Sequence, residues 1–341
     1  MPTADIVGFS STLSLSWIYA WIGFFYLTRK ACDIYLLLIE LFVLSGTDVS
    51  LLELRANLLR SFKNGEKSSW AIINGVEDDL GAEYALALAS HGFNTLLLSR
   101  TQSKLDTLAQ EIKSQYPDAQ TGILLTDASK PSSDNYNELE ACIKHLNVAI
   151  LVNNDSQLHT IPVPFVSTPK EEITDIISVN CTATLMVTRL IAQGMAQRHR
   201  GLILTMGSFN GLFATPLLAT YSGSKAFLQQ WSTGLAAEMK SEGVDVQLVL
   251  SSTIAKVGEG SWLIPTPKDF VKIVLGKVGK TGGAHCIGWS MTPYWAHAFA
   301  QLALQNLPSL SGEIVPRIQK YMQERIRLRA FDTMDRERKA V

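Results

Sequence analysis

From Trp70 onward, short apolar runs alternate with stretches of helical periodicity, and no other feature narrows the possible folds as far. Trp70–Ile73, Thr95–Leu98, Gly122–Leu125, Val148–Val152, Leu202–Met206 and Val244–Leu250 read as strands. Gly81–His91, Lys104–Ile112, Lys170–Cys181 and Tyr221–Glu242 read as helices, the first carrying Tyr84 and Leu88 at helical spacing and ended by Gly92. Strands apolar on both faces belong to parallel sheets covered by helices on both sides. The expectation is an α/β, Rossmann-like, doubly wound parallel sheet with right-handed crossovers. Its ligand should bind beyond the carboxyl ends of the strands.

The first strand-to-helix turn is therefore where the phosphates of a dinucleotide would lie. It reads Asn74-Gly75-Val76-Glu77-Asp78-Asp79-Leu80-Gly81. Gly75 and Gly81 suit a tight turn and a close helix start. Asp79 stands where the backbone should approach the pyrophosphate, and a carboxylate there competes for the amide donors and repels phosphate. Asp79 equally suits helix capping, and Glu77 adds a second acid. The second strand ends at Ser99-Arg100 rather than in the acid that meets a ribose 2′-hydroxyl, so NADP(H) is expected over NAD(H).

Tyr221 and Lys225 are spaced i, i+4 on one helix face, and Ser208 lies just after a strand, before a glycine-containing turn. This set fits carbonyl reduction. A developing alkoxide needs a proton, and free tyrosine (pKa ~10) is a poor donor near neutrality. A neighbouring ammonium favours the phenolate and brings the phenol toward the working range. The Ser208 hydroxyl can bond the substrate oxygen where charge develops. Asn180, on the preceding helical pattern, completes the constellation. Tyr-x-x-x-Lys also occurs at Tyr26 and Lys30, without that company.

The net charge of −1 gives no global field toward nucleic acid. Cys32, Cys142, Cys181 and Cys286 lie far apart, without zinc-type spacing, and no metal is expected. The chain is 47% hydrophobic and only 18% charged, which points to a membrane segment beside the core. Ile6 to Thr28 carries no charge, and at ~1.5 Å per residue it reaches about 34 Å, enough for a ~30 Å hydrocarbon core. Arg29 and Lys30 follow it and only Asp5 precedes it, which places the large C-terminal part in the cytosol. A cleaved signal would need a basic start and a small-residue cleavage site, and both are missing. Ile34 to Leu44 is a second apolar run, too short to span alone.

Gly201-Leu-Ile-Leu-Thr-Met-Gly-Ser-Phe-Asn210, the run from Pro216 to Trp231, Ile161-Pro-Val-Pro-Phe165 and Met291-Thr-Pro-Tyr-Trp-Ala-His297 closely resemble the fungal very-long-chain 3-oxoacyl-CoA reductases of the short-chain dehydrogenase/reductase superfamily. The likeness spans roughly residues 10 to 330. It implies NADPH-dependent reduction of 3-oxoacyl-CoA to 3-hydroxyacyl-CoA in very-long-chain fatty-acid elongation. It further implies an endoplasmic reticulum membrane location, contact with lipid and the other elongase components as partners. It assigns catalysis to Ser208, Tyr221, Lys225 and Asn180, with Asn180 holding Lys225 through a water and Lys225 bonding the nicotinamide ribose. Asp127 then meets the adenine, and Asn153 of the Asn153-Asn154 pair meets the cofactor.

The family pattern T-G-x-x-x-G-[IL]-G is broken at Asn74 and Asp79, the glycine after the asparagine pair is Ser156, and the loop after Leu250 looks short. These departures motivate two alternatives: an impaired paralogue that binds elongase subunits or acyl chains, and a reductase for a specialised polyketide or steroid ketone. The organisation expected is an anchor over 1–45, a linker over 46–69, the NADP-binding domain over 70–290 and a helical, basic extension over 291–341. Within the extension, Tyr294 to Leu307 reads as a helix that touches the bilayer or packs in the core. Its last residues, Arg338-Lys339-Ala340-Val341, resemble a dilysine-type retrieval signal.

Overall fold

The computed structural model describes residues 5–43, 69–130, 133–255, 258–279, 287–305 and 314–340. The chain divides into two compact units, Met1–Gly46 and Thr47–Val341. All of the linker assigned to 46–69 except Ser69 lies outside the described residues, as do Leu44, Leu307 and Val341.

The first unit is helix α1, Asp5–Leu38, closed by a π-turn over Ile39–Val43. No proline interrupts its 34 residues, which reach about 51 Å. The helix therefore runs past Arg29 and Lys30, where Lys30 meets Asp33 at 3.9 Å, and takes in about half of the second apolar run. Trp17, Trp21, Phe24 and Phe25 are all exposed, Phe25 by 71%. With Ile18, Tyr19 and Ile22 also exposed, the apolar surface runs round the helix rather than down one stripe.

The second unit is a seven-stranded sheet in the order β3-β2-β1-β4-β5-β6-β7, with every pair parallel. Its strands are β1 (Ser69–Asn74), β2 (Asn94–Ser99), β3 (Thr121–Leu125), β4 (Asn147–Asn153), β5 (Gly201–Met206), β6 (Val244–Val249) and the short β7 (Ser290–Met291). The helices are α2 (Asp79–Ser90), α3 (Gln102–Gln115), α4 (Ser133–Ile143), α5 (Lys170–Ile177), α6 (Thr184–Gln197), α7 (Ala219–Lys240), α8 (Pro267–Gly276), α9 (Trp295–Gln305) and α10 (Ile314–Ala340).

Alternation along the strands separates two cores. Ala71, Ile73, Leu97 and Val152 face one side, where α2 contributes Tyr84 and Leu88. Ile72, Leu96, Leu98 and Leu151 face the other, against Val187 and Ile191 of α6. Burying each large aliphatic side chain contributes roughly 1.5–3 kcal/mol. The edge strand β3 is the exception, with Ile123 and Leu125 exposed.

The chain winds outward from β1 in one direction and from β4 in the other. Between their carboxyl ends lies the crevice that such sheets use for ligands. A π-segment, Ser178–Ala183, joins α5 to α6. The continuous stretch Lys170–Gln197 is apolar and long enough to cross a bilayer, but its apolar window is 61% buried in the protein, which marks a core helix. In α9, the buried residues are His297, Ala298 and Gln301.

Candidate active site

The crevice is built on Gly75. Its φ is +94°, and a Cβ there would lie 2.4 Å from the backbone of Asp155. Asn74 O, at the end of β1, accepts the amides of Asn154 and Asp155, both at 2.8 Å. A Cβ on Gly81 would fall 2.1 Å from Gly75 O, so the start of α2 sits directly on the turn. Both glycines thus meet the demand of a dinucleotide turn, a backbone cradle that a side chain would fill.

The helix cap differs from the expectation. Asp78, not Asp79, is the N-cap: its Oδ1 accepts from Gly81 N at 2.9 Å. Asp78 has the extended backbone of a cap, with φ −106° and ψ 167°, whereas Asp79 already belongs to the helix. Asp79 is the first helical residue, exposed, where its charge complements the helix dipole. Asn154 reinforces the cap by donating to Gly75 O and Asp78 Oδ1, each at 2.8 Å.

Asn153 turns inward instead. Its Nδ2 donates to Thr188 Oγ1 of α6 at 2.8 Å. Asp127 accepts from the amide and hydroxyl of Ser129 and shares a small cleft with Asn74 and Tyr136. Burial pushes the half-buried Asp155 carboxyl up to about 6; Arg100 opposes the rise, and Glu77 and Asp78 add to it.

At the end of β2, four donors converge on Glu77. Its Oε1 accepts from Ser99 Oγ at 2.5 Å and from the Arg100 amide at 3.1 Å. Oε2 accepts from Thr101 Oγ1 at 3.2 Å and meets Lys104 Nζ at 3.5 Å. Lys104 also donates to the Glu77 carbonyl. Burial alone would raise this carboxyl, but the hydrogen bonds from Ser99 and Thr101, the Lys104 charge and the Arg100 amide hold it below the ordinary range. Hydroxyls, an amide and an ammonium at this corner have the chemistry to hold a phosphate, and together with the two glycines they fit a nicotinamide dinucleotide.

Ser208, Tyr221 and Lys225 meet between the end of β5 and α7. Lys225 is 3% exposed, and its Nζ donates to Met206 O at 3.1 Å, two residues before Ser208. The same Nζ lies 5.8 Å from the centre of the Tyr221 ring. Ser208 is half-buried and caps the short turn Phe209–Gly211, accepting from Asn210 N at 3.2 Å. That turn packs on α7 because Gly211 has no side chain: a Cβ there would lie 2.7 Å from the Lys225 carbonyl carbon. Ser222 Oγ then donates to Asn210 O at 2.5 Å.

Asn180, fully buried on the π-segment, accepts from Gln157 N at 2.7 Å and donates to Gln157 O at 3.0 Å and to Ser224 Oγ at 2.8 Å. Ser224 in turn donates to Tyr221 O at 2.7 Å. Asn180 therefore braces the loop after β4 against the helix that carries Tyr221 and Lys225. The extra residue of a π-turn is what aims it there.

The other Tyr-x-x-x-Lys pair is instructive. Lys30 lies 5.5 Å from the Tyr26 ring, almost the same geometry. Spacing alone therefore does not distinguish the two pairs; burial of the lysine beneath β5 does.

The loop after β6 is held by His297. Its Nδ1 lies 3.4 Å from Ser252 N and its Nε2 3.2 Å from Thr253 O. Burial lowers its pKa to about 4, so the ring is neutral, and a proton on Nε2 satisfies both contacts. Further along, Trp262 stacks on Trp295 at 5.4 Å, and Tyr294 Oη donates to Trp262 O at 2.6 Å. Gln157, Ser224, Thr101 and Lys104 are supporting residues that sequence reasoning did not single out. Asn154 and His297 appeared there only inside longer motifs, without a role.

Residues 69–257 match the short chain dehydrogenase family. The chain is 46% identical over 327 residues to a very-long-chain 3-oxoacyl-CoA reductase of Aspergillus terreus, covering 95% of this chain and 89% of that protein. It is 43% identical over 329 residues to one from Pyricularia oryzae, covering 95% of both. Among solved structures, a 7beta-hydroxysteroid dehydrogenase superposes with a TM-score of 0.62 at 21% identity, over 75% of this chain and 96% of that one. A short-chain dehydrogenase from Sphingobium yanoikuyae in complex with NADPH gives 0.58 at 23% identity, over 72% and 96%. These two likenesses concern the fold. By the family match and by identity along nearly its whole length, the chain belongs to the short-chain dehydrogenase family, in the branch of the very-long-chain 3-oxoacyl-CoA reductases.

Proposed function

We propose that this protein reduces 3-oxoacyl-CoA to 3-hydroxyacyl-CoA with NADPH, as a step of very-long-chain fatty-acid elongation. The observation that carries the reading is the buried Lys225 ammonium. It is bonded to Met206 O and lies beneath the Tyr221 ring, and the Ser208 turn packs on the same helical residue. The activity for which these relatives are named supports the substrate class.

A nicotinamide held by Gly75, Gly81 and the corner after β2 would supply the hydride. Tyr221 gives its phenolic proton to the 3-oxo oxygen, and the nearby ammonium stabilises the phenolate left behind. Ser208 donates a hydrogen bond to the same oxygen as its charge grows. Asn180 keeps α7 in register with the loop after β4. Ser99, Thr101, Lys104 and the Arg100 amide favour NADPH over NADH as reductant.

The exposed apolar surface of α1 supports insertion in the endoplasmic reticulum membrane. Arg29 and Lys30 after the apolar stretch support a cytosolic catalytic domain, and the relatives' activity supports the other elongase components as partners.

The test is NADPH oxidation by the purified full chain with a 3-oxoacyl-CoA. Turnover is expected with wild type, and Tyr221→Phe should lower kcat by ~10³-fold or more without loss of fold. Absence of turnover at saturating NADPH sinks the reading.

A further inference from the structure

The acid that the end of β2 lacks in sequence is present there in space. Dinucleotide folds read the adenosine 2′ position at this corner, with an acid for a hydroxyl and with cationic or hydroxyl donors for a phosphate. Position 99 is serine, which by itself indicates a phosphate site. Yet Glu77, reaching across from the first turn, already receives the Ser99 and Thr101 hydroxyls, the Arg100 amide and the Lys104 ammonium. Its side chain is only 23% exposed, and Lys104 pins its carbonyl as well. Asp78 and Asp155 surround it with further negative charge, opposed by Arg100.

We propose that Glu77 is an internal anion seated in the 2′-phosphate site, and that it sets how far this chain prefers NADP(H) over NAD(H). The inference rests on the reading of this crevice as a nicotinamide dinucleotide site. A 2′-phosphate needs the four donors that Glu77 holds. It enters only by displacing the carboxylate, and it then keeps an uncompensated acid beside it. A 2′-hydroxyl makes no such demand. Glu77 therefore acts as a displaceable plug that lowers affinity for the phosphorylated cofactor selectively. The same donors remain for the phosphate once the plug has moved, so NADPH is still bound, at a weakened level.

The experiment compares two cofactor fragments, 2′,5′-ADP and 5′-AMP, by calorimetric titration of the detergent-solubilised full chain. Wild type should prefer 2′,5′-ADP by no more than about threefold. Glu77→Ser should gain about tenfold or more on 2′,5′-ADP and change less than about threefold on 5′-AMP, because one charge opposite the phosphate has been removed. Glu77→Gln keeps the size and an acceptor oxygen and should shift selectivity in the same direction, which separates charge from packing. In the Glu77→Ser background, Lys104→Ala should return most of the gain.

Equal changes for both fragments would mean a general effect on the turn and would overturn the proposal. So would no gain on 2′,5′-ADP, or loss of 5′-AMP binding in Glu77→Ser, which would make Glu77 a ligand for the ribose hydroxyl. Failure of both fragments to bind any variant would overturn the dinucleotide reading and the proposal with it. Fragment binding is independent of the acyl substrate, so the result stands apart from the proposed activity.

Discussion

Asp155→Asn should make this protein more stable in mildly alkaline solution and leave it unchanged in acid. Asp155 lies against the first turn, its backbone 2.4 Å from where a Gly75 side chain would begin. Burial pushes its carboxyl from 3.8 to about 6, with Glu77 and Asp78 nearby and Arg100 only partly compensating. A carboxyl whose folded value is raised holds its proton more tightly in the folded state than in the unfolded one. Between the ordinary and the raised value the folded state therefore binds more protons, and stability falls as pH rises. Above about 6 the full cost of the buried charge is present.

About two pH units at ~1.4 kcal/mol each gives an upper bound of roughly 3 kcal/mol. Solvent reaches part of the side chain, so ~1–2 kcal/mol is the realistic cost. Asparagine has nearly the same shape as the protonated acid and removes this term. Urea unfolding of both proteins at about pH 4 and about pH 8 measures it. The expected gain is ~1–2 kcal/mol at the higher pH and close to zero at the lower. An equal gain at both pH values would show a packing effect. No gain at about pH 8 would show that Asp155 is fully solvated when charged, and the electrostatic reasoning would fail.

Two further predictions concern the turn and the first unit. Gly75→Ala forces a methyl to within 2.4 Å of the Asp155 backbone at a φ of +94°, so it should cost ~3 kcal/mol or more and abolish dinucleotide binding; a native-like melt with unchanged NADPH affinity would contradict this. The apolar surface round α1 should keep the full chain in the membrane pellet through alkaline carbonate extraction, whereas release into the supernatant would rule out a spanning helix.

The parallel sheet was legible because its strands are apolar on both faces, so they stand out as short continuous apolar runs between helical stretches. β7, α4, α6 and α8 were not. β7 is only two residues long, and α4 and α8 are short and flanked by loops, so each depends on packing against neighbours for its identity. Ser208, Tyr221 and Lys225 were legible as residue types in a telling order. Their burial, and the role of Gly211 in letting the Ser208 turn rest on Lys225, were not.

What the sequence determined alone was the winding of the sheet, the position of the first strand-to-helix turn and the i, i+4 pairing of Tyr221 with Lys225. Each follows from local periodicity or from spacing along one helix. Only the tertiary structure decided which acid caps α2, that Asn153 faces inward while Asn154 holds the turn, and that Glu77 fills the corner beside Ser99. The last two depend on residues 22 to 79 positions apart meeting at strand ends. A linear reading reports the residue at position 99 but not the carboxylate that folding brings beside it.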